Sequence, residues 1–121
     1  MVSIFKINEI CEKILLCDKD VKLVAISHRT DTFFMARRGT RVFETKEEIE
    51  KSLANAALRW VSRRSIRTLG TPLYAMAKYQ KAKRITVPLG KYGIVLCTLD
   101  KNSDAESIAT KIIKILKKFK D

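Results

Sequence analysis

The sequence predicts an α/β domain of the α+β type, in which helices cover both faces of a five-stranded antiparallel sheet. The main observation is residues 72–99, which read as three strands joined by two tight connections. Residues 73–80 place alternate side chains on one face, as in a strand with one buried side. Residues 92–99 are apolar on both faces, so this strand is expected in the middle of the sheet with elements packed above and below.

The elements that precede this segment follow from apolar spacing and turn residues. Residues 4–17 have apolar side chains at helical spacing and predict a first helix, and residues 21–28 form a nearly continuous apolar strand. The turn Arg29–Asp31 predicts a hairpin whose second strand covers residues 32–38. The chain therefore begins with a helix and a β-hairpin.

A middle helix is predicted from a capping box formed by Thr45 and Glu48. It is expected to continue to about Leu69, where Gly70 can close it and Pro72 prevents further helix. The predicted core stripe contains Ile49, Leu53, Ala56, Ala57 and Trp60. A second apolar line, formed by Ala54, Leu58 and Val61, widens the apolar surface beyond what one sheet face requires. Trp60 has two readings: it lies in the core, or it anchors a symmetric contact between two copies.

The last elements complete the order. In the fourth strand, Ile85, Val87 and Leu89 are expected to point to one face, and Gly90 provides the positive φ of the turn that follows. A second capping box is expected at Ser103 with Glu106, and apolar residues at helical spacing from Ile108 to Phe119 predict a final helix to the C-terminus.

Length and composition indicate one domain over residues 1–121. Uncharged runs are too short for a membrane span, and charges interrupt the N-terminus, so we expect a soluble cytoplasmic protein. The three cysteines, Cys11, Cys17 and Cys97, stand among apolar residues without a CxxC pair and are expected to be buried free thiols.

The net charge of +12 is unevenly distributed, because residues 51–99 contain no acidic residue. Such a one-sided charge favours an anionic partner, which is nucleic acid, an acidic protein face or phospholipid headgroups. We expect the basic residues of the middle helix and of the following hairpin to form one continuous surface, beside which Tyr79 offers a stacking ring. The predicted binding residues are Arg59, Arg63, Arg64, Arg67, Lys78, Lys81, Lys83 and Arg84.

The sequence contains no convincing catalytic, metal or cofactor motif. The one histidine, His28, would have to pair with Cys97, which lies in an apolar strand. Cys11, Cys17 and His28 lack the spacing of a metal site, and the four glycines form no phosphate-binding loop. We therefore expect no enzyme activity and no cofactor.

The order helix, two strands, helix, three strands, helix resembles the roadblock and longin group of profilin-like domains over essentially the whole chain. That resemblance implies a mostly non-enzymatic domain that dimerises through its middle helix and an edge strand. It also implies that the domain binds small GTPases or scaffolds complexes. PAS and GAF sensor domains have a related sheet but usually insert further helices around a ligand pocket.

The sequence therefore predicts a non-catalytic, homodimeric interaction or regulatory module that uses a basic surface to dock an acidic partner, possibly a small GTPase. The dimer interface is expected at Ala54, Ala57, Leu58 and Val61. Two alternatives stay open: a nucleic-acid-binding protein that contacts phosphates, and a small-molecule sensor.

Overall fold

The computed structural model describes residues 4–119 and contains the predicted order of elements. The three α-helices are α1 (Ile4–Cys17), α2 (Lys46–Arg64) and α3 (Ala105–Leu116). The five strands are β1 (Val21–His28), β2 (Asp31–Ala36), β3 (Ala75–Lys78), β4 (Ala82–Leu89) and β5 (Gly93–Asp100). A short 3-10 helix, Arg67–Leu69, follows α2.

The strands form one antiparallel sheet in the order β2-β1-β5-β4-β3. The last strand in sequence is therefore the central strand in space, and residues 93–99 are all buried. Val95 lies opposite Ile26 of β1 on one side and Val87 of β4 on the other. The prediction of a central strand here, covered on both faces, is confirmed.

Helices cover the two faces of the sheet unequally. The larger core lies under α1 and α3, where Ile85, Val87 and Leu89 of β4 point inward as expected. On the other face α2 packs mainly on β1 and β5, with Ile49 and Leu53 against the sheet. The β3–β4 side of that face is consequently less covered, and a groove runs between it and the helix.

The middle helix ends earlier than predicted. It begins at the capping box of Thr45 and Glu48, as expected, but its last helical residue is Arg64 rather than Leu69. The Ser65 hydroxyl donates to the Ser62 carbonyl, and Ile66 leaves helical geometry at φ −88° and ψ 83°. A serine that hydrogen-bonds the nearby backbone competes with helical bonding. Gly70 has a positive φ of 81°, as a chain reversal there requires.

The third strand and the last helix are shorter than predicted. β3 covers Ala75–Lys78 rather than residues 73–80, and the expected buried face is wrong, because none of these residues is buried at the edge of the sheet. α3 ends at Leu116, before Phe119.

The start of α3 and the bounds of β2 also differ from the prediction. The N-cap of α3 is Asp104, whose carboxylate accepts from the Ser107 N–H at 3.1 Å, whereas Ser103 is buried. Strand β2 begins one residue earlier and ends two residues earlier than expected. The side chain of Arg37 instead donates to the carbonyls of Leu15, Asp18 and Val21, which lie at the end of α1 and the start of β1.

No helix within residues 4–119 has both the length and the apolar character needed to cross a bilayer.

Candidate functional site

The outward side of α2 carries the apolar residues predicted for a dimer interface. Leu58 is 71% exposed and Val61 is 63% exposed, while Ala54 is exposed and Ala57 half-buried. Trp60 is 1% exposed and packs with Ile94, which decides between its two readings in favour of the core. Two large apolar side chains on one outward helix face are a candidate contact site.

Strand β3 is the second feature of this region because it lies at one edge of the sheet. It contains four residues, Ala75–Lys78, and pairs with β4 on its inner side. Met76 is 51% exposed, and Leu73, just before the strand, is 64% exposed. An edge strand presents backbone N–H and C=O groups to any chain that can pair with it.

A groove of about 160 Å³ separates the flank of α2 from β3. Its helix side contains Asn55, Arg59 and Arg63, and its strand side contains Ala75 and Tyr79. The apolar outward side of α2 and the edge strand are therefore separated by a polar, cationic flank.

The structure divides the eight predicted basic residues among several surfaces. Arg59 and Arg63 line the groove, and Arg63 also lies 5.8 Å from the centre of the Trp60 ring. Lys78 and Lys83 are opposite each other on β3 and β4, and the Lys83 ammonium donates to the Ser103 carbonyl at 2.6 Å. Because Ser103 precedes α3, this lysine pair lies on the face opposite α2.

Three other members of the set lie on three different elements. The Arg64 guanidinium donates to the carbonyl of Lys91 in the β4–β5 turn at 3.2 Å. Arg67 is exposed on the 3-10 helix, and Lys81 is exposed in the β3–β4 turn. Consecutive strand residues point to opposite faces, so Lys83 and Arg84 lie on different faces of the sheet although they are adjacent in the sequence.

Arg84, the last of the eight, uses its charge within the chain rather than on an external anion. Its guanidinium donates to the Glu44 carboxylate at 3.0 Å and to the Ser52 hydroxyl at 2.7 Å. The Thr98 hydroxyl donates to the same carboxylate, and the Glu44 and Arg84 side chains are only 13% and 15% exposed. Arg84 therefore ties the segment before α2 to β4 and β5, and its charge is matched within the chain.

Glu44 should make folding sensitive to acid. Burial alone would raise the pKa of its carboxyl, but hydrogen bonds from Thr98 and Arg84 outweigh burial and hold the pKa below its ordinary value of 4.5. A lowered folded-state pKa gives stability that is present above about pH 4.5 and is lost as the pH falls toward the folded-state value. We expect the stability difference between the wild type and Glu44→Gln, measured by urea unfolding, to shrink over that range. A difference independent of pH would contradict the role of the carboxylate.

Cys97 and His28, which would have to pair for nucleophilic catalysis, are not neighbours. Cys97 lies opposite Val24, four residues from His28 along β1, which corresponds to about 13 Å. Cys97 is fully buried, and burial raises the pKa of its thiol well above the ordinary value. Within residues 4–119, no three His, Cys, Asp or Glu side chains are arranged to hold a metal. All three cysteines are free, and Cys11 and Cys97 are buried as predicted while Cys17 is half-buried.

Several solved structures have the same architecture. The roadblock/LC7 domain from Streptomyces avermitilis superposes with a TM-score of 0.70 at 8% identity, over 91% of this chain and 91% of that one. MglB from Myxococcus xanthus gives 0.69 at 14% identity, over 95% and 92%. This chain has the roadblock fold. The gliding protein MglB from Thermus thermophilus gives 0.64 at 6% identity, over 92% and 88%. Neither a family model nor a curated protein matches the sequence.

In this fold the middle helix is α2, and the sheet has two edge strands, β2 and β3. Sequence reasoning missed the residues that surround the N-terminal end of α2, above all Glu44 and Phe43. Glu44 lies 40 positions before its partner Arg84, so no local pattern connects them. Phe43 is 49% exposed in a short link, and the available sequence signal was an aromatic residue two positions after Arg41 and just before a helix cap.

Proposed function

We propose that this roadblock-fold chain is a non-catalytic, homodimeric interaction module that docks an acidic protein partner. The observation that carries the proposal is the outward apolar side of α2, where Leu58 and Val61 are largely exposed. Burying a side chain of this size contributes about 1.5–3 kcal/mol. A symmetric contact between two copies buries each residue twice, because a two-fold axis repeats every contact.

Strand β3 supports the same assembly. Its outer edge is available for antiparallel pairing with β3 of a second copy, and such pairing would extend the sheet across the two-fold axis. A solved structure of MglB with a tetrameric arrangement has this fold with a TM-score of 0.63 at 9% identity. Self-association is therefore a property of one protein with the same fold, and we extend it to this chain.

The charge of the chain supports the choice of an acidic partner. Each copy has a net charge of +12, and Arg59 and Arg63 stand at the groove without an acidic neighbour in residues 51–99. Complementary charge accelerates association and selects between partners. The roadblock resemblance makes an acidic face of a small GTPase a candidate, and nucleic acid is the competing occupant.

Assembly is tested by placing charge on the outward side of α2. We expect Leu58→Asp with Val61→Asp to convert the dimer to a monomer in sedimentation-velocity measurements, because two desolvated carboxylates would face their symmetry copies. The matched control is Leu16→Asp, since Leu16 is 83% exposed on α1, away from α2. A monomeric wild type at high micromolar concentration would contradict the proposal, and so would a double variant that stays dimeric.

Dimerisation and partner docking are expected to depend on salt concentration in opposite ways. Two copies of the same cationic chain repel, so we expect the dimer to tighten as NaCl rises from about 0.05 to 0.5 M, because screening shortens the reach of that repulsion. Docking to an acidic partner should weaken over the same range.

The partner is tested by capture from native lysate with and without nuclease. We expect the captured protein to resist nuclease and to be lost with Arg59→Glu and Arg63→Glu. Lys114→Glu with Lys118→Glu is the control, because this pair reverses the same number of charges at exposed positions in the C-terminal part of the chain. Loss of all capture after nuclease would favour nucleic-acid binding instead.

A further inference from the structure

A second, larger cavity lies at the end of the sheet near the start of α2, and we call it the end groove. It is bounded by the link 39–44, the β3–β4 turn at 80–82 and the neighbouring ends of β1 and β5. Its volume is about 620 Å³. Small-molecule sites are typically concave and roughly 300–1,000 Å³ in volume, so the end groove has the size of a ligand site.

Four cationic side chains from separate segments line the end groove: Lys22, Arg41, Lys81 and Lys101. Within residues 4–119, none of the four forms an ion pair. Two acids also line the groove, but each already has partners. Glu44 is held by Arg84 and Thr98, and the Asp100 carboxylate accepts from the Asn102 N–H at 2.9 Å. The Asn102 N–H is neutral, so Asp100 keeps its negative charge, whereas the charge of Glu44 is matched by Arg84. The four cations therefore face one unmatched carboxylate, and the groove is positive overall.

Phe43 keeps two of these cations at the groove. The Arg41 guanidinium carbon lies 5.2 Å from the ring centre and the Lys81 ammonium nitrogen 5.5 Å from it. An aromatic ring attracts a cation through its quadrupole without cancelling the charge, unlike a carboxylate. The half-exposed ring therefore positions both charges while leaving them available to an anion.

We propose that the end groove binds the di- or triphosphate group of a small molecule. A guanidinium recognises phosphate oxygens in a bidentate manner, and lysines add point charges around it. Four cations spread over one cavity match a chain of phosphates better than a single carboxylate, which would leave most of the positive charge uncompensated. The proposal is independent of dimerisation and of the acidic partner, since it uses none of Arg59, Arg63, Leu58 and Val61.

The test is calorimetric titration of the full chain with inorganic pyrophosphate and triphosphate at about 0.15 M NaCl. We expect saturable binding that Arg41→Ala with Lys81→Ala weakens at least tenfold, since two charge-assisted contacts are lost. The control pair Lys114→Ala and Lys118→Ala removes the same charge from exposed positions at the C-terminal end of the chain and should change affinity less than about twofold. Phe43→Leu should weaken binding as well, whereas Phe43→Tyr should retain it, because tyrosine keeps the ring.

Absence of saturable binding would overturn the proposal, as would equal weakening by the two pairs, which indicates diffuse attraction to a basic protein. Should the Arg41→Ala and Lys81→Ala variant prove unstable, Lys101→Ala with Lys81→Ala makes the same comparison.

A second experiment, with vesicles that contain a phosphoinositide, identifies the source of the phosphate. Vesicle binding that pyrophosphate displaces assigns it to a lipid headgroup, and absence of vesicle binding alongside pyrophosphate binding assigns it to a soluble molecule.

Discussion

Leu96→Ala is expected to lower the free energy of unfolding by about 2–5 kcal/mol. Leu96 is 6% exposed at the centre of β5 and packs in the cluster that contains Leu23, Ile49 and Leu53. Truncation removes apolar contacts and leaves a cavity between the sheet and α2, which neither neighbouring strand can fill without moving. Equilibrium urea unfolding followed by far-UV circular dichroism measures the loss.

The control for Leu96 is the same substitution at Leu16, which is 83% exposed on α1. We expect Leu16→Ala to change the free energy of unfolding by less than about 0.5 kcal/mol, the usual limit for surface positions. An unchanged midpoint for Leu96→Ala would mean that α2 does not pack on β5 as the structure has it.

Arg84→Ala is expected to lower the free energy of unfolding by about 3–5 kcal/mol, because removing one partner of a largely buried ion pair leaves the other charge desolvated. The substitution leaves the Glu44 carboxylate, 13% exposed, with Thr98 as its remaining side-chain donor. The same urea unfolding measures the effect. Arg59→Ala removes an exposed arginine from the adjacent helix and should be nearly neutral.

A double-mutant cycle separates the pair from its surroundings. We expect Glu44→Gln with Arg84→Met to be less destabilised than Arg84→Met alone, since no unmatched charge remains. Additive effects of the two single substitutions would show that Glu44 and Arg84 do not interact.

Most of the fold was predictable because it is encoded in local periodicity. The apolar residues on both sides of residues 92–99 indicated a covered strand, and the structure places that strand at the centre of the sheet. The capping box at Thr45 identified the start of α2 correctly. The end of α2 was not predictable from apolar spacing, because the break at Ser65 and Ile66 comes from local hydrogen bonds within an otherwise helical pattern.

The candidate surfaces were only partly predictable. Helical spacing identified Leu58 and Val61 as an extra apolar line, and both are exposed. Charge counting identified an excess of basic residues but not their directions or partners. Arg84 is matched by an acid that lies 40 positions away, and Lys83 points to the opposite face of the sheet. Such contacts depend on the tertiary structure, and the number of charged residues in a sequence segment does not reveal them.

The central position of β5 has a consequence for how the chain acquires its structure during synthesis. β1 pairs with β2 soon after both emerge from the ribosome, but its other neighbour is β5, whose last residue lies 72 positions after the end of β1. At a synthesis rate of ~5–20 residues per second, the apolar strand β1 stays unpaired on one side for about 4–14 seconds. During this time the second edge of β1 is unpaired, and an unpaired apolar strand edge favours aggregation and chaperone binding. Docking of β5 between β1 and β4 is the long-range step expected to limit the folding rate.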